Sequence, residues 1–398
     1  MNRTILLLAA THFLVDGFGN ILAPLLPLLI TRMNLSLAAA GALQMCFHMA
    51  SSVAQLGFGH LADRWRPRLL LLAGPLVSVT VLATIGLAPN VWVLAGVLVA
   101  GGLGAAAFHP PAAALVHRFS GARKGLAMSM HITSGTLGQA AAPLVFAPFV
   151  QRFGLAATPV LTIVPLVVLA AVLLPRIPRF DRLQERHDTS GVAALRPYAK
   201  PLALLYFIVV LRTLTAMSYS TFVPVALTRQ GMSLAEAGSA TAVYLFAVGA
   251  GGFVGGPLAD RWGARRVIIL SLVLSVPFLA IAPALPGWTL VAVLSIGGFL
   301  LQSTLPVNVT FGQMIAPISA ATVSSLMMGF AWGTGGLAVP FVGMAADRIG
   351  IERTLVTLSV VPLIAAALAV PLPAGKYAYR ARPSAVSTAE TTGTDVAQ

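Results

Sequence analysis

Charged side chains are scarce in this sequence. Asp, Glu, Lys and Arg together make up 9% of its 398 residues, whereas 58% of the residues are hydrophobic. Soluble domains ordinarily carry about 25% charged residues. With a mean hydropathy of +0.89, the chain holds more apolar surface than a soluble core of this length could bury. The composition therefore excludes the soluble globular class and indicates a polytopic membrane protein.

Other absences concern chemistry. Cys46 is the sole cysteine, so an intramolecular disulfide and a thiolate metal cluster are both excluded. The phosphate-binding motif Gly-x-x-x-x-Gly-Lys-Ser/Thr is missing, which argues against ATP hydrolysis by this chain. The zinc motif His-Glu-x-x-His is missing too. We therefore expect the protein to use no metal and no cofactor. We expect a proton gradient to supply the energy for its activity.

Long apolar runs are what the sequence does contain. A helix needs about 20 predominantly apolar residues to cross ~30 Å of hydrocarbon. Twelve runs of this kind occur, at 4–30, 38–62, 69–88, 92–117, 125–150, 155–174, 201–228, 235–259, 265–284, 288–315, 319–345 and 353–371. They predict an all-α polytopic membrane protein with twelve transmembrane helices.

The basic residues indicate which loops face the cytoplasm. When Arg3 is placed inside, 19 of the 25 Lys and Arg residues fall on the inner side of the membrane. Loops rich in Lys and Arg stay in the cytoplasm, so both termini are predicted to be cytoplasmic. The net charge of +14 then follows from topology, and we expect no nucleic-acid partner.

A duplication divides the chain into two halves. LADRW occurs at 61–65 and at 258–262, and residues 24–41 align with residues 221–238 at the same offset of 197. Two blocks that share one offset indicate a repeated six-helix unit. The predicted segments are an N-terminal six-helix bundle (1–174), a cytoplasmic central loop (175–200), a C-terminal six-helix bundle (201–371) and a disordered cytoplasmic tail (372–398).

A fainter echo of LADRW lies on the opposite side of the membrane. QRFG at 151–154 and ADRIG at 346–350 follow the two LADRW copies by similar distances. Three-helix units repeated with inverted topology are typical of transporters that rock two bundles about a midplane site. The echo therefore favours a transporter architecture, and it places Asp347 in a gate loop.

The two loops around LADRW resemble the signature of the major facilitator superfamily of transporters. They read GHLADRWRPR and GGPLADRWGARR. Three further stretches, THFLVDGFGNILAPLLPLL, FHPPAAALVHRFSGARKGLAMS and GFAWGTGGLAVPFVGMAADRIGIE, are similar to the fosmidomycin resistance protein family. The similarity runs over nearly all of residues 5–371. It implies the major facilitator fold, in which two six-helix bundles enclose a central cavity.

The resemblance assigns the two LADRW loops to a cytoplasmic gate. Their glycines allow close helix approach, and their aspartates can bond a helix N-terminus or a basic residue of the other half when the inner side is shut. The candidate gating residues are Gly59, Asp63, Arg64, Arg68, Gly256, Asp260, Arg261 and Arg265. The alternative is that these charges only keep the loops on the cytoplasmic side.

Helices 4 and 5 depart from the family pattern. The family usually reads Phe-His-Pro-Glu in helix 4, but Pro111 stands here in place of the carboxylate. Leu98 replaces an arginine that many proton-coupled relatives carry, and Ala142 stands where a glycine would precede Pro143. Coupling to an ion must then use other residues, and the effect of Pro111 on the mechanism stays open.

Asp16 is the lone carboxylate deep inside a predicted span. A charge there costs at least ~2.5–3.5 kcal/mol on insertion scales, unless it faces water or a partner. His12 and Asn20 lie one turn to either side, so the three residues share one helix face. Asp16 is therefore the first candidate for proton coupling.

Arg212 is the basic counterpart of Asp16. Subtracting the repeat offset places it at position 15, so the duplication puts an acid in helix 1 and a base in helix 7 at nearly the same depth. The resemblance implies that helices 1, 4, 7 and 10 line the cavity. We expect Asp16 and Arg212 to face each other there, and Arg212 to bind substrate. The alternative is a structural ion pair that orders helix packing.

Histidines can gain or lose a proton near neutral pH, so those inside the predicted spans are the next candidates. The proposed proton-coupling residues are Asp16, His109, His131 and His12. The proposed substrate-binding residues are Arg212, Tyr219, Asn20, His48, Gln44, Tyr244, Gln302, Asn308 and Trp332. For most of them the alternative is ordinary hydrogen bonding or packing between helices.

These observations predict a multi-pass secondary active transporter of the prokaryotic inner (cytoplasmic) membrane. We expect a monomer that exports a small drug-like or polar anionic compound in exchange for protons, as an antibiotic-resistance antiporter does. Uptake of a small organic acid or nutrient by proton symport is the alternative. A receptor that does not transport and a membrane enzyme are less favoured, because two gate loops suit a carrier that alternates.

Overall fold

The computed structural model describes residues 3–64, 67–120, 124–173, 176, 192–317 and 320–374, and every regular element in these ranges is helical. Most of the predicted central loop, from 177 to 191, and the tail from 375 onward lie outside the described residues. The prediction of an all-α protein is confirmed. The segment boundaries of the two bundles, the loop and the tail stay predictions.

The N-terminal half contains seven α-helices within the described residues. They are α1 (Arg3–Gly19), α2 (Leu22–Met33), α3 (Leu37–Arg64), α4 (Pro67–Ala83), α5 (Val91–Phe119), α6 (Lys124–Phe153) and α7 (Ile163–Val168). Short 3-10 turns at Thr84–Leu87 and Leu155–Thr162 and a π-helical turn at Leu169–Leu173 extend the ends. α1 and α2 form one bent span, and Asn20 lies at the break between them.

The C-terminal half continues from a 3-10 turn at Val192–Tyr198. Its long helices are α8 (Ala199–Arg229), α9 (Leu234–Trp262), α10 (Ala264–Ile281), α11 (Gly287–Gln302) and α12 (Thr304–Ile315). The shorter helices that follow are α13 (Ala320–Ser324), α14 (Ala331–Leu337), α15 (Val339–Ile349), α16 (Ile351–Leu358) and α17 (Val361–Ala369). A 3-10 turn at Ala282–Ala284 and a π-helical turn at Ser325–Phe330 complete this half.

Ten helical stretches in the described ranges are long and apolar enough to cross a membrane. They coincide with the first four and the last six predicted spans. The 30-residue helix α6 occupies the position of the fifth, and the shorter apolar stretch Leu155–Ala171 that of the sixth. Large apolar side chains such as Val164 and Phe341 remain exposed on the outside of the bundle, as lipid contact requires. The count of twelve spans and the cytoplasmic termini stay predictions.

Local sequence explains how several helices begin and end. Ser233 accepts from the backbone N–H of Glu236, while the Glu236 carboxylate accepts from the N–H of Ser233. This reciprocal capping box satisfies two free N–H groups at the start of α9. Asn34, with φ of 48°, ends α2 in the left-handed conformation that asparagine tolerates.

Helix packing shows which helices form most of the interface between the halves. α3 of the N-terminal half packs against α14 and α15, and α6 packs against α9. Within the N-terminal half, α1 packs along α6 and also contacts α5. This arrangement brings polar residues of α1, α5 and α6 together beside the interface.

Candidate transport site

The centre of the N-terminal half holds a cluster around the Asp16 carboxylate. His12 Nε2 lies 3.4 Å from Asp16 Oδ2, and His109 Nε2 of α5 lies 3.5 Å from Oδ1. Gln139 of α6 donates from Nε2 to Oδ2 at 3.0 Å. Asp16 and His109 are mostly buried, with 16% and 22% of their side chains exposed. The carboxylate therefore contacts groups on three helices and is not completely enclosed by protein atoms.

The four residues predicted for proton coupling lie together in this cluster. His12 Nδ1 is 2.7 Å from the backbone oxygen of His131, so it donates to that carbonyl. The ring centroid of His12 is 4.2 Å from that of His131 and 5.0 Å from that of His109. Because Nδ1 carries a proton, Nε2 of His12 donates to Asp16 only when the ring is charged.

The same cluster is compact enough to hold a metal ion. His12, Asp16 and His109 each offer one ligand atom, and these atoms lie within 4.8 Å of one another. Two imidazoles and a carboxylate are ligands that divalent transition metals accept. The expectation that the protein uses no metal stays a prediction, and this cluster is where it can be tested.

Arg212 lies in the C-terminal half and is fully buried. Its Nη1 donates to Gln302 Oε1 at 2.6 Å, and its Nη2 donates to Thr213 Oγ1 at 3.0 Å. The guanidinium carbon is 5.9 Å from the ring centroid of Trp332, a cation–π distance. All of these partners are uncharged, so the local contacts leave the positive charge of Arg212 uncompensated.

No described salt bridge joins Asp16 and Arg212 in this conformation, and the expectation that the two face each other across the cavity stays a prediction. Within the described ranges, each salt bridge of Asp16 is formed with a histidine, and Arg212 forms none. Two histidines of the same half already surround the carboxylate, whereas the guanidinium is enclosed by Gln302, Thr213 and Trp332. Sharing one depth in a duplicated fold does not bring two side chains into contact.

The remaining predicted substrate-binding residues separate into two groups. Tyr219 and Tyr244 are buried packing residues: the Tyr219 hydroxyl lies 2.8 Å from the carbonyl oxygens of Leu279 and Leu355, and Tyr244 packs on Gly298. Neither is available to a substrate in this conformation.

Three residues of the N-terminal half stay near the cluster or the interface. They are Asn20, which donates to the Gln139 backbone oxygen, and the pair Gln44 and His48, whose Nε2 atoms are 2.9 Å apart.

His48 lies at the interface between the halves, where its Cβ faces Gly336 of α14. Asn308 is buried on α12, and neither polar atom of its side chain has a partner among the described residues. A buried amide without partners loses the hydrogen bonds that water would supply. His48 and Asn308 therefore stay candidates for substrate contact.

The described side chains of the predicted inner gate form no hydrogen bond or salt bridge with the opposite half. Asp63 and Arg64 end α3, and their side chains lie outside the described residues. Asp260 and Arg261 are exposed, and a Cβ built on Gly256 would meet nothing within 4 Å. Gly59 faces Pro110, Arg68 is half-buried with its Nε unpartnered, and no described hydrogen bond or salt bridge involves Arg265. The gating role of these residues stays a prediction.

Two hydrogen-bonded caps join the halves on the predicted outer side. Asp347, at the end of α15, accepts from the N–H groups of Leu37 and Ala38 at 2.8 and 2.9 Å. Gln151, at the end of α6, accepts from the N–H of Ala235 at 2.6 Å. Each cap therefore satisfies the N-terminus of a helix in the other half. We name these contacts the Asp347 latch and the Gln151 latch.

Close backbone packing accompanies both latches. A Cβ on Gly41 would approach the Val339 carbonyl oxygen at 2.8 Å, and one on Gly238 would approach the Pro143 oxygen at 2.8 Å. The two glycines are 197 residues apart. The halves are thus tightly joined on the predicted outer side.

Two polar residues of the site and the latches, Gln139 and Gln151, were not singled out in the sequence, where they are glutamines in an apolar helix. Asp347 was assigned to a gate loop, but its partner in the other half was not predicted. The QRFG and ADRIG echo was the signal that pointed to the latches. No local pattern marks Gln139.

The sequence profile of the Major Facilitator Superfamily matches residues 8–225 and 205–317 of the chain. The chain belongs to the Major Facilitator Superfamily. Among curated relatives of this superfamily member is the fosmidomycin resistance protein of Escherichia coli. It is 30% identical over 370 residues, which cover 90% of this chain and 89% of that protein. The resemblance drawn from the sequence motifs is therefore confirmed.

Other members of the superfamily are also similar. The uncharacterized MFS-type transporter YfnC of Bacillus subtilis is 28% identical, with 90% of each chain covered. The probable nitrate/nitrite transporter NarK2 of Mycobacterium tuberculosis is 28% identical over 70% of this chain and 72% of that protein.

Solved structures of the superfamily show the same fold. A bacterial homolog of the human lysosomal transporter Spinster, in an inward-facing and unoccupied conformation, matches with a TM-score of 0.75. The two chains are 19% identical, and the match covers 92% of this chain and 95% of the Spinster homolog. The nucleoside transporter NupG matches with a TM-score of 0.73 at 14% identity. The match covers 92% of this chain and 98% of NupG.

Proposed function

We propose that this superfamily member is a proton-coupled exporter of small drug-like or polar anionic compounds in the prokaryotic cytoplasmic membrane. The observation that carries the proposal is the Asp16 cluster, where a carboxylate inside a membrane span lies within 3.5 Å of two histidines. Such groups can exchange protons. Because an ionisable group inside a membrane span is costly, its presence there indicates a function. The similarity to the fosmidomycin resistance protein supports export of a toxic compound.

The electrostatics of the C-terminal half support an anionic substrate. Arg212 carries a positive charge that no described acid neutralises, and it is buried where the dielectric constant is low. A charge of this kind attracts anions from a distance as well as by contact. When the halves move, a carboxylate or phosphonate could replace the Gln302 oxygen on the guanidinium fork.

The contacts between the halves support alternating access. The Asp347 and Gln151 latches close the predicted outer side, while no hydrogen bond or salt bridge to the N-terminal half is described for Asp260, Arg261 or Arg265 on the predicted inner side. An exporter in this conformation takes substrate from the cytoplasm. After the halves rock, Asp16 takes up a proton from outside as substrate leaves, and it releases that proton inside.

Uptake of a small organic acid or other anion by proton symport is the second candidate function. The similarity to a protein named as a probable nitrate/nitrite transporter favours it, since both named substrates are anions. The same Asp16 cluster and Arg212 would serve either direction. Direction depends on which conformations bind proton and substrate together.

The test uses purified protein in proteoliposomes with a pH-sensitive dye inside. A panel of phosphonates, carboxylates and lipophilic cations is added, and substrate-dependent proton flux is measured for wild type, Asp16→Asn and the control Glu352→Gln. We expect wild type and control to move protons with anions, and Asp16→Asn to move none while still exchanging labelled substrate. Equal proton flux in wild type and Asp16→Asn would falsify the coupling role.

Cells supply the complementary measurement of direction. Susceptibility and accumulation of the same compounds are compared with and without the protein, in the presence and absence of a protonophore. Export predicts lower accumulation in cells that carry the protein, and the protonophore should remove the difference. Higher accumulation that a protonophore removes would instead support symport.

A further inference from the structure

We propose that Gln139 is the positioning residue that holds the Asp16 carboxylate in place while its protonation changes. The proposal rests on the proton-coupling function argued above, and it adds a residue that no sequence motif marks. Gln139 lies on α6, whereas Asp16 lies on α1. The interaction therefore links the coupling group to a helix that also packs against the other half through α9.

The contacts of Asp16 are unequal in length. The two histidine nitrogens are 3.4 and 3.5 Å from the carboxylate oxygens, beyond the usual range of about 2.7–3.2 Å for a hydrogen bond. The Gln139 amide is 3.0 Å from Oδ2. Among the described residues, Gln139 thus forms the closest polar contact with the carboxylate, and its geometry is that of a hydrogen bond.

The chemistry of an amide suits this position. A glutamine does not ionise, and its side chain carries both a donor N–H₂ and an acceptor oxygen. The N–H₂ group can donate to the charged carboxylate, and after a rotation the amide oxygen can accept from the protonated acid. Because Nδ1 of His12 donates to the His131 carbonyl, Nε2 of His12 cannot serve both states without a change in the protonation of the ring. Gln139 can therefore hold Asp16 before and after proton uptake without taking the proton itself.

The seam between α1 and α6 is built to bring these two side chains together. A Cβ on Gly135 would come within 2.6 Å of both Asp16 Oδ2 and His12 Nε2, and a Cβ on Gly138 would overlap the Phe13 carbonyl oxygen. Asn20 Nδ2 donates to the Gln139 backbone oxygen at 2.9 Å, which anchors that residue directly. The two glycines allow α1 and α6 to approach closely, and the Asn20 hydrogen bond aligns Gln139 with α1. Gln139 therefore reaches Asp16 Oδ2.

The experiment separates positioning from structural support by measuring two rates in the same proteoliposomes. One is exchange of labelled substrate without a gradient, which moves no net proton, and the other is substrate-dependent proton flux. Gln139→Met keeps the length of the side chain and removes the amide. Gln313→Met is the matched control, because Gln313 is also a half-buried helical glutamine but donates to Ser324 Oγ rather than to an ionisable group.

We expect Gln139→Met to lower the ratio of proton flux to exchange by about ten-fold, as loss of a hydrogen bond to a charged group predicts, while exchange changes by less than about two-fold. The control should keep both rates. If Gln139→Met does not fold, Gln139→Asn keeps an amide that is one methylene too short, and it should lower the ratio in the same direction.

Two results would overturn the proposal. An unchanged ratio in a folded Gln139 variant means that the amide does not position Asp16. A parallel loss of exchange and proton flux means that Gln139 only supports the structure. The proposed function fails separately, and visibly, if wild type itself shows no substrate-dependent proton flux.

Discussion

Each half of the molecule has one charged residue at its centre among the described residues. The two centres differ in whether their charge has partners. In the N-terminal half, Asp16 is surrounded by His12, His109 and Gln139, so its charge has partners. In the C-terminal half, Arg212 has only neutral partners. A duplicated scaffold thus holds two different electrostatic environments. The difference suggests a division of labour, with ion coupling in one half and attraction of substrate in the other.

The latches repeat this contrast on the predicted outer side. Both cap a helix N-terminus of the opposite half, but the Asp347 latch is charged and has two hydrogen bonds, whereas the Gln151 latch is neutral and has one. A negative charge at a helix N-terminus is further stabilised by the helix dipole. The Asp347 latch is therefore expected to contribute more to closing this side.

The largest effect is expected when the charged centre of the C-terminal half, Arg212, is removed. Arg212→Ala should abolish transport, because the attraction for an anion is removed, and Arg212→Lys should weaken anion binding about ten-fold or more through loss of the fork geometry. Binding and uptake are measured in proteoliposomes after thermal stability has been checked. Arg32→Lys is the control, since the Arg32 guanidinium donates from Nη1 to the carbonyl oxygen of Gly86 but lies away from the centre. Full anion transport by Arg212→Ala would contradict the division of labour.

An intermediate effect is expected when the stronger latch is removed. Asp347→Ala loses a helix cap worth about 0.5–2 kcal/mol, so the outward-facing population should rise about two-fold or more. Accessibility of single cysteines from each side, in a Cys46→Ala background, measures the shift. Asp347→Asn keeps a capping side chain and should lie close to wild type. No difference between the alanine and asparagine variants would rule out a capping role.

A smaller effect of the same sign is expected at the weaker latch. Gln151→Ala removes one neutral hydrogen bond, worth about 0.5–1.5 kcal/mol, and should shift accessibility less than Asp347→Ala. Gln151→Glu adds a charge at the N-terminus of α9 and should shift it the other way. Equal shifts for the two alanine variants would show that the latches do not differ.

The smallest effect is expected at the inner gate. Asp63→Asn and Asp260→Asn should leave insertion intact and raise the inward-facing population modestly, because this gate acts only when the inner side is shut. The shift is opposite in sign to that of Asp347→Ala in the same accessibility assay. Unchanged accessibility in both variants would support the reading that these charges serve topology alone.

Composition, periodicity and repetition were enough to establish the class of this protein. Apolar runs of the right length predict helical spans, since hydrocarbon leaves the backbone no partner but itself. The motifs around LADRW identified the superfamily, and the Ser-x-x-Glu spacing of Ser233 and Glu236 is the local pattern of the capping box that begins α9. Asp16 stood out because a carboxylate in a membrane span is rare and costly. All of these are local or periodic properties that the order of residues displays directly.

Tertiary structure alone decided which groups meet. Gln139 is 123 residues from Asp16, and Asp347 is 310 from Leu37, so no spacing in the sequence could pair them. The repeat offset predicts one depth for Asp16 and Arg212, but Asp16 lies beside two histidines and Arg212 is buried among neutral groups. Tyr219, predicted to bind substrate, instead joins two carbonyl groups. Depth in the membrane follows from counting residues along a helix, whereas contact depends on how each helix packs against its neighbours.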